Sequence, residues 1–288
     1  MALMTLTYAQ AAALALSEAM ARDERVVALG EDIGRGGIFG QYGGLLAKWG
    51  SERVIDTPIS EANIVGAGVG MALMGMRPVV EMRVIDFALC AMDEIVNQAA
   101  KARYMFGGQG RVPVIFRMPI GLWSGSAAQH SQSLESWFTH IPGLTVLTPS
   151  TPQNNYSLFQ SALSQNDPIL YLEHKELWNI NETVNIRQSI EIGTAHRLHS
   201  GSDLTLVSWS SAIHRCAEAC DRVSSQGVEV DLIDLRSIWP WDKEMVFTSA
   251  AKTGKLQEVH DAFQVSGLRR SEEHTSALQS RGLISYAV

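Results

Sequence analysis

Two short runs in this 288-residue chain carry side chains able to move protons. The first is Asp56-Thr57-Pro58-Ile59-Ser60-Glu61, which leads into Ala62-Asn63-Ile64-Val65-Gly66-Ala67-Gly68-Val69-Gly70. It sets a carboxylate in the first turn of an otherwise apolar helix, with Ser60 as a good N-cap. Between Ala62 and Met76 only Asn63 could solvate that carboxylate. The ordinary reading of Glu61 is stabilisation by the helix dipole. The chemical reading is a partly buried acid or base. The second run is Gln129-His130-Ser131-Gln132, between a strand and a short helical stretch. His130 is either a surface-loop histidine beside capping serines or a proton donor, a role an imidazole suits because it titrates near working pH. Phe87 follows Glu81-Met82-Arg83-Val84-Ile85-Asp86 and by itself reads as a core phenylalanine.

These groups need a framework, and the hydrophobic pattern supplies one. Short apolar runs alternate with helical periods: helix 8–22, strand 26–29, a glycine-rich loop, a strand near Val54, helix 60–74, strand 78–82 and helix 89–104. Strands 112–118, 145–147 and 169–173 follow, with helix 153–163 before the last. The strand at 112–118 is apolar at nearly every position, as expected for a sheet covered on both faces. The alternation predicts an α/β fold, a mostly parallel sheet with helices on both faces. A more polar stretch, 181–203, reads as a linker. A second α/β unit then runs through strand 204–208, helix 212–223, strand 228–233, helix 242–251 and strand 256–260.

Composition narrows the function. Hydrophobic residues make up 46% and charged residues 18%, a globular balance. The net charge of −7 without a basic cluster argues against nucleic acid. The longest apolar run is too short for a membrane span. The start lacks a secretion pattern, and three cysteines, Cys90, Cys216 and Cys220, form no disulfide framework. A cytoplasmic protein is expected. Cys216 and Cys220 lie four apart and read as small packing residues rather than a metal pair. The glycines at 34–44 and 66–70 do not form a dinucleotide fingerprint, and there is no P-loop, nucleophile elbow or zinc spacing.

Several runs in order resemble one family: the beta subunits of thiamine-diphosphate-dependent 2-oxo acid dehydrogenases, including the pyruvate, branched-chain and acetoin members. The resemblance rests on the two runs above, on Gly75-Met76-Arg77-Pro78-Val79-Val80-Glu81, on Asn97-Gln98-Ala99-Ala100-Lys101-Ala102-Arg103-Tyr104, and on His140-Ile141-Pro142-Gly143. Pro149-Ser150-Thr151-Pro152, Asp234-Leu235-Arg236 and Lys252-Thr253-Gly254 continue it, over roughly residues 5–268.

The resemblance implies a transketolase-like pyrimidine-binding domain over 1–180 and a second, truncated transketolase C-terminal-like domain over 204–268. It makes Glu61 the acid that hydrogen-bonds the aminopyrimidine of thiamine diphosphate and favours its imino form. It makes Phe87 the aromatic stacked on that ring and His130 the active-site histidine. Arg83 departs from the family, which has an apolar or hydroxyl residue there; pointing into the site, it would favour an anionic group. The resemblance also implies a potassium site at carbonyls near Val114, Ala162, Gln165 and Asp167, whose plain alternative is a helix C-terminus. The pyrophosphate and magnesium signature, Gly-Asp-Gly followed by Asn-Asn, is absent here and in the family belongs to the alpha subunit. The chain is therefore expected to form half of an active site in an alpha-two beta-two heterotetramer, cleaving a 2-oxo acid or acetoin and passing the acyl unit to a lipoyl-bearing acyltransferase. The runs at 129–132 and Glu173-His174-Lys175-Glu176-Leu177 resemble the pyruvate and acetoin members more than the branched-chain ones. Alternatives are a catalytically silent assembly subunit and a self-contained transketolase-type enzyme, against which the missing pyrophosphate signature counts. Residues 269–288 break the family pattern, resemble translated sequencing adapter, and are expected to be non-native.

Overall fold

A computed structural model describes residues 3–123 and 125–262. The segment 269–288 lies outside the described residues. The strands are β1 Leu3–Thr7, β2 Val26–Gly30, β3 Val54–Asp56, β4 Arg77–Glu81, β5 Ile115–Ile120, β6 Thr145–Leu147, β7 Ile169–His174, β8 Asn181–Asn185, β9 His196–His199, β10 Leu204–Ser208, β11 Val230–Asp234, β12 Ser237–Trp239 and β13 Leu256–Val259. The α-helices are α1 Tyr8–Arg22, α2 Leu45–Trp49, α3 Glu61–Leu73, α4 Ala100–Met105, α5 Glu135–Thr139, α6 Pro152–Leu163, α7 Ala212–Ser224 and α8 Lys243–Thr253.

The larger sheet has seven strands in the order β12-β6-β7-β5-β4-β2-β3. All its pairs are parallel except β12 on β6. The second sheet runs β13-β10-β11-β9, with β9 antiparallel at one edge. The expected α/β architecture is present, because strands such as β2, β5 and β7 are buried at every residue and need helices on both faces. One face carries α1 and α6, which pack on each other; the other carries α3 and the segment after β4.

The structure departs from the expected elements at four places. The stretch 181–203 is no bare linker: β8 pairs antiparallel with β1, and β9 completes the second sheet. Its polarity reflects edge strands, which keep one side in water. After β11 the chain returns to the first sheet, where β12 adds beside β6. The helix expected over 89–104 is divided into a 3₁₀ segment, Ile85–Ala91, a π turn, Glu94–Ala99, and α4. Asp93 accepts the side-chain amides of Asn97 and Gln98 at 2.7 and 3.1 Å, bridging both four- and five-residue spacings where the π turn starts. The strand expected from residue 112 begins at Ile115, after Pro113, which has no N–H for a ladder.

Glycine matters where α3 meets the sheet. A Cβ on Gly68 would lie 2.4 Å from Val80 Cγ2, so only glycine lets α3 approach β4 this closely. Ile64, Val65, Val69 and Ala72 bury the same helix face, and this packing fixes the height at which Glu61 emerges.

Candidate active site

Glu61, Phe87 and His130 follow β3, β4 and β5. All three therefore sit past the carboxyl ends of parallel strands, the edge where open α/β sheets bind ligands. The α3 helix packs on the 3₁₀ segment carrying Phe87, and that segment packs on the 3₁₀ turn Ala128–His130. The rings of Phe87 and His130 meet edge to face, with centroids 5.2 Å apart. The sheet topology thus brings the second and third residues into contact and holds the first on the adjoining helix.

Glu61 opens α3, as expected, but Ser60 does not cap it through its hydroxyl. The Ser60 Oγ instead accepts the Asn63 side-chain amide at 2.8 Å. Glu61 is half-buried, and its carboxylate makes no hydrogen bond or ion pair among the described residues. Phe87 and His130 are also half-buried. His130 Nδ1 is enclosed and lacks a hydrogen-bond partner among the described residues. An unengaged carboxylate, a half-buried aromatic ring and an unsatisfied imidazole suit a flat heteroaromatic ligand bearing polar atoms.

The His130 turn lies on a loop closed at its neck. The Gly121 N–H donates to the Gln132 carbonyl at 3.0 Å. Gly121 has φ +84°, and a Cβ there would lie 1.8 Å from His174 Nε2, so the strand can leave the sheet here only as glycine. The Gln132 side-chain amide donates to Asp86 Oδ1 at 2.8 Å. Lys175, buried just past β7, donates from Nζ to the Gly121 carbonyl at 2.9 Å and to the His130 carbonyl at 2.7 Å. The Trp123 N–H donates to Ser131 Oγ at 3.2 Å, and the Trp123 ring packs on Phe39, itself stacked on Trp178. Asp86, Gln132 and Lys175 lie in runs quoted from the sequence, but the motif reading assigns none of them a role. A lysine bonding two carbonyls has no characteristic spacing, and among the neighbouring Glu173, His174 and Glu176 its charge does not stand out in the sequence.

Beneath the site lies a buried charged layer. Arg117 and Glu173, on neighbouring strands, form a fully buried pair, with Nη2 to Oε1 at 2.9 Å. Glu81, at the end of β4, accepts the Tyr42 hydroxyl at 2.8 Å and the Gln41 amide at 3.3 Å. Burial pushes its carboxyl up to about 8, against the opposing attraction of Arg117. The folded protein therefore holds this proton more tightly than the unfolded chain does. Stability from this group is complete below the ordinary carboxylate range and is lost as pH rises through about 8. Glu81→Gln is expected to flatten that fall: its urea midpoint relative to wild type should rise from pH 5 to pH 8. An unchanged difference across that range would show that Glu81 does not carry the dependence. Glu135, in the first turn of α5, is likewise pushed up by burial to about 7 and accepts the Trp209 indole N–H at 3.4 Å, joining the flank of the site to the second sheet.

Arg83 does not stand free. Its Nη1 lies 2.8 Å from Glu31 and 2.9 Å from Asp32, so its charge is already matched. Around the residues expected to hold potassium, the Val114 carbonyl accepts Ile169 N–H at 2.9 Å and the Ala162 carbonyl accepts Gln165 N–H at 3.1 Å. The Gln165 carbonyl accepts the Arg77 guanidinium, and Asp167 pairs with Arg103 at 2.6 Å. Among the described residues no cluster of three His, Cys, Asp or Glu could hold a metal ion, and no helix is long and apolar enough to cross a membrane.

Large apolar side chains stand exposed around the site: Ile59 two residues before Glu61, Leu89 two after Phe87, and Leu122 on the His130 loop. A second exposed group, Leu73, Met74, Tyr104, Met105 and Phe106, lies at the ends of α3 and α4 near the opposite edge of the sheet.

Comparison with known proteins bears on the family and the fold. The family "Transketolase, pyrimidine binding domain" matches residues 4–180, and "Transketolase, C-terminal domain" matches 193–278. The second match starts just before β9 and extends into the segment expected to be foreign. The beta subunit of acetoin:2,6-dichlorophenolindophenol oxidoreductase from Cupriavidus necator is 41% identical over 260 residues, covering 86% of this chain and 77% of the relative. The 2-oxoisovalerate dehydrogenase beta subunit of Bacillus subtilis is 39% identical over 87% of this chain and 78% of its own length. The mitochondrial pyruvate dehydrogenase E1 component subunit beta-2 of Oryza sativa is 37% identical over 91% and 72%. Among solved structures, a split-gene transketolase described as an inactive beta4 tetramer has a TM-score of 0.79 at 20% identity, covering 93% of this chain and 84% of that one; at that identity it speaks to fold alone.

Proposed function

From a chain that belongs to the beta subunits of the 2-oxo acid and acetoin dehydrogenases, we propose that Glu61, Phe87 and His130 form the beta-subunit half of a thiamine-diphosphate site. The observation carrying this reading is the placement of Glu61, its carboxylate unengaged, on the helix that packs against the segment of the Phe87–His130 ring pair, all past the carboxyl ends of parallel strands. When bound, thiamine diphosphate would supply a nucleophilic thiazolium carbon. Glu61 would hold a proton at the aminopyrimidine nitrogen, Phe87 would support the ring, and His130 would donate to the substrate oxygen and during acyl transfer to the lipoyl group. The substrate read from residues 129–132 and 173–177 is pyruvate or acetoin, and the acyl unit has two carbons. The similarities to acetoin, 2-oxoisovalerate and pyruvate relatives are close to one another and do not rank the substrates.

The alpha partner would bring the pyrophosphate and magnesium site. Ile59, Leu89 and Leu122 support this, because apolar side chains grouped around a polar site indicate a surface that a partner covers. With the second exposed group on α3 and α4, they support the alpha-two beta-two assembly. No step is assigned to potassium: at Gln165 the Arg77 guanidinium already provides a cation to the carbonyl, and a metal ion would have to share it. A cytoplasmic site also belongs to this reading. The test is co-expression with an alpha subunit, followed by mass and cofactor content. A 2:2 complex that retains thiamine diphosphate, alongside a beta chain that retains none alone, is the expected result. Stoichiometric binding and turnover by the chain alone would establish the self-contained transketolase-type alternative.

A further inference from the structure

We propose that Lys175 is the positioning residue for His130, acting through the His130 main-chain carbonyl. The inference rests on the assignment of His130 above and goes beyond it. Lys175 stands at the end of β7, while His130 lies ten residues into the connection after β5, yet one ammonium bonds both ends of that excursion. Its Nζ donates to the Gly121 carbonyl, where the loop leaves the sheet, and to the His130 carbonyl, at 2.9 and 2.7 Å. Among the described residues the loop is also held by ring contacts of His130 with Phe87 and of Trp123 with Phe39, and by further hydrogen bonds. Gly121 N–H to the Gln132 carbonyl closes its neck, Gln132 reaches Asp86, and Trp123 N–H reaches Ser131.

A long side chain that is 7% exposed loses considerable rotamer freedom when buried. An ammonium also loses hydration, and that loss is offset only by its acceptors. Here the acceptors are two neutral carbonyls, and the nearby charge is the buried Asp86 carboxylate, which bonds Gln132 of the same loop and has its second oxygen unpartnered. Lys175 and Asp86 thus hold the loop from two elements, one through the His130 carbonyl and one through Gln132. Removing the ammonium leaves the His130 carbonyl without that donor and frees the turn to move. The imidazole then samples more orientations. A displacement of about 1 Å in a reacting group can cost about a hundredfold in rate.

The experiment uses the assembled complex and two assays: substrate consumption with an artificial electron acceptor, and acyl transfer to a lipoyl-bearing domain. Lys175→Met is expected to lower the kcat of lipoyl transfer by about 10- to 100-fold, with a smaller loss in the acceptor assay and little change in substrate KM. Lys175→Arg, which keeps the charge and donors, should recover part of the loss. The double variant Lys175→Met/His130→Ala should be no slower than His130→Ala alone, because a residue acting through another adds nothing once that other is gone. Hydrogen exchange of peptides covering residues 121–132 should quicken in Lys175→Met while peptides from α1 and α6 stay protected.

Multiplying losses in the double variant would overturn the inference, as would wild-type transfer in Lys175→Met. If Lys175→Met fails to assemble, the comparison moves to Lys175→Arg and Lys175→Gln, and equal transfer rates in those two would also overturn it. A His130→Ala enzyme with undiminished transfer would overturn the assignment of His130 itself. That outcome is distinguishable, because a failure at Lys175 alone leaves the His130 loss intact.

Discussion

Glu61→Gln is expected to leave the fold and the assembly intact while lowering turnover by about two powers of ten or more. The fold should survive because the carboxylate makes no hydrogen bond or ion pair among the described residues, and the α3 packing face consists of Ile64, Val65, Val69 and Ala72. What the substitution forfeits structurally is the helix-dipole contribution, about 0.3–1 kcal/mol at a terminus of this kind. In the proposed role the amide would keep the shape and a hydrogen bond to the aminopyrimidine but could not exchange a proton there. Deuterium exchange at the thiazolium carbon, measured on the assembled complex, should slow in parallel with turnover. Near-wild-type turnover would remove Glu61 from the mechanism. Slow turnover with normal exchange would move its role to a later step.

The sequence made some of this legible and left the rest obscure for physical reasons. Elements with a strong single period were read well: α1 occupies 8–22 and β6 occupies 145–147, as expected. Pattern reading failed where an element's partner is distant in sequence. β8 and β9 form because β1 and β11 offer strand edges, and β12 because β6 does; none carries enough apolar alternation to announce itself. The π turn at Glu94–Ala99 keeps helical composition and differs only in hydrogen-bond spacing. At the site, Glu61 and His130 are visible as residue types in suggestive surroundings, yet their ordinary readings as a dipole-stabilised glutamate and a surface histidine are strong, and the proposed roles rest on the ordered family motifs. Lys175 and Asp86 act through backbone and amide contacts 45 and 46 residues away in the chain. No local spacing encodes such contacts; they follow from strand order, which places β7 directly beside β5.

His130→Ala is the second large effect expected, and its direction separates two roles that activity alone would merge. The Phe87 ring meets His130 edge to face rather than enclosing it, and His130 is half-buried on its loop, so an alanine can replace it without opening a core cavity. The main-chain bond from Lys175 to residue 130 is retained because it ends on a carbonyl. The loop should therefore stay in place while the imidazole is lost. Removing a positioned proton donor typically costs about 10²–10⁴-fold. That loss is expected in acyl transfer to the lipoyl group, with substrate consumption through an artificial acceptor affected no more than transfer is. Proton exchange at the thiazolium carbon, which the proposed roles assign to Glu61 on α3, should persist. Collapse of exchange with transfer spared would instead place His130 in cofactor activation, and the division of labour between α3 and the loop after β5 would have to be reversed.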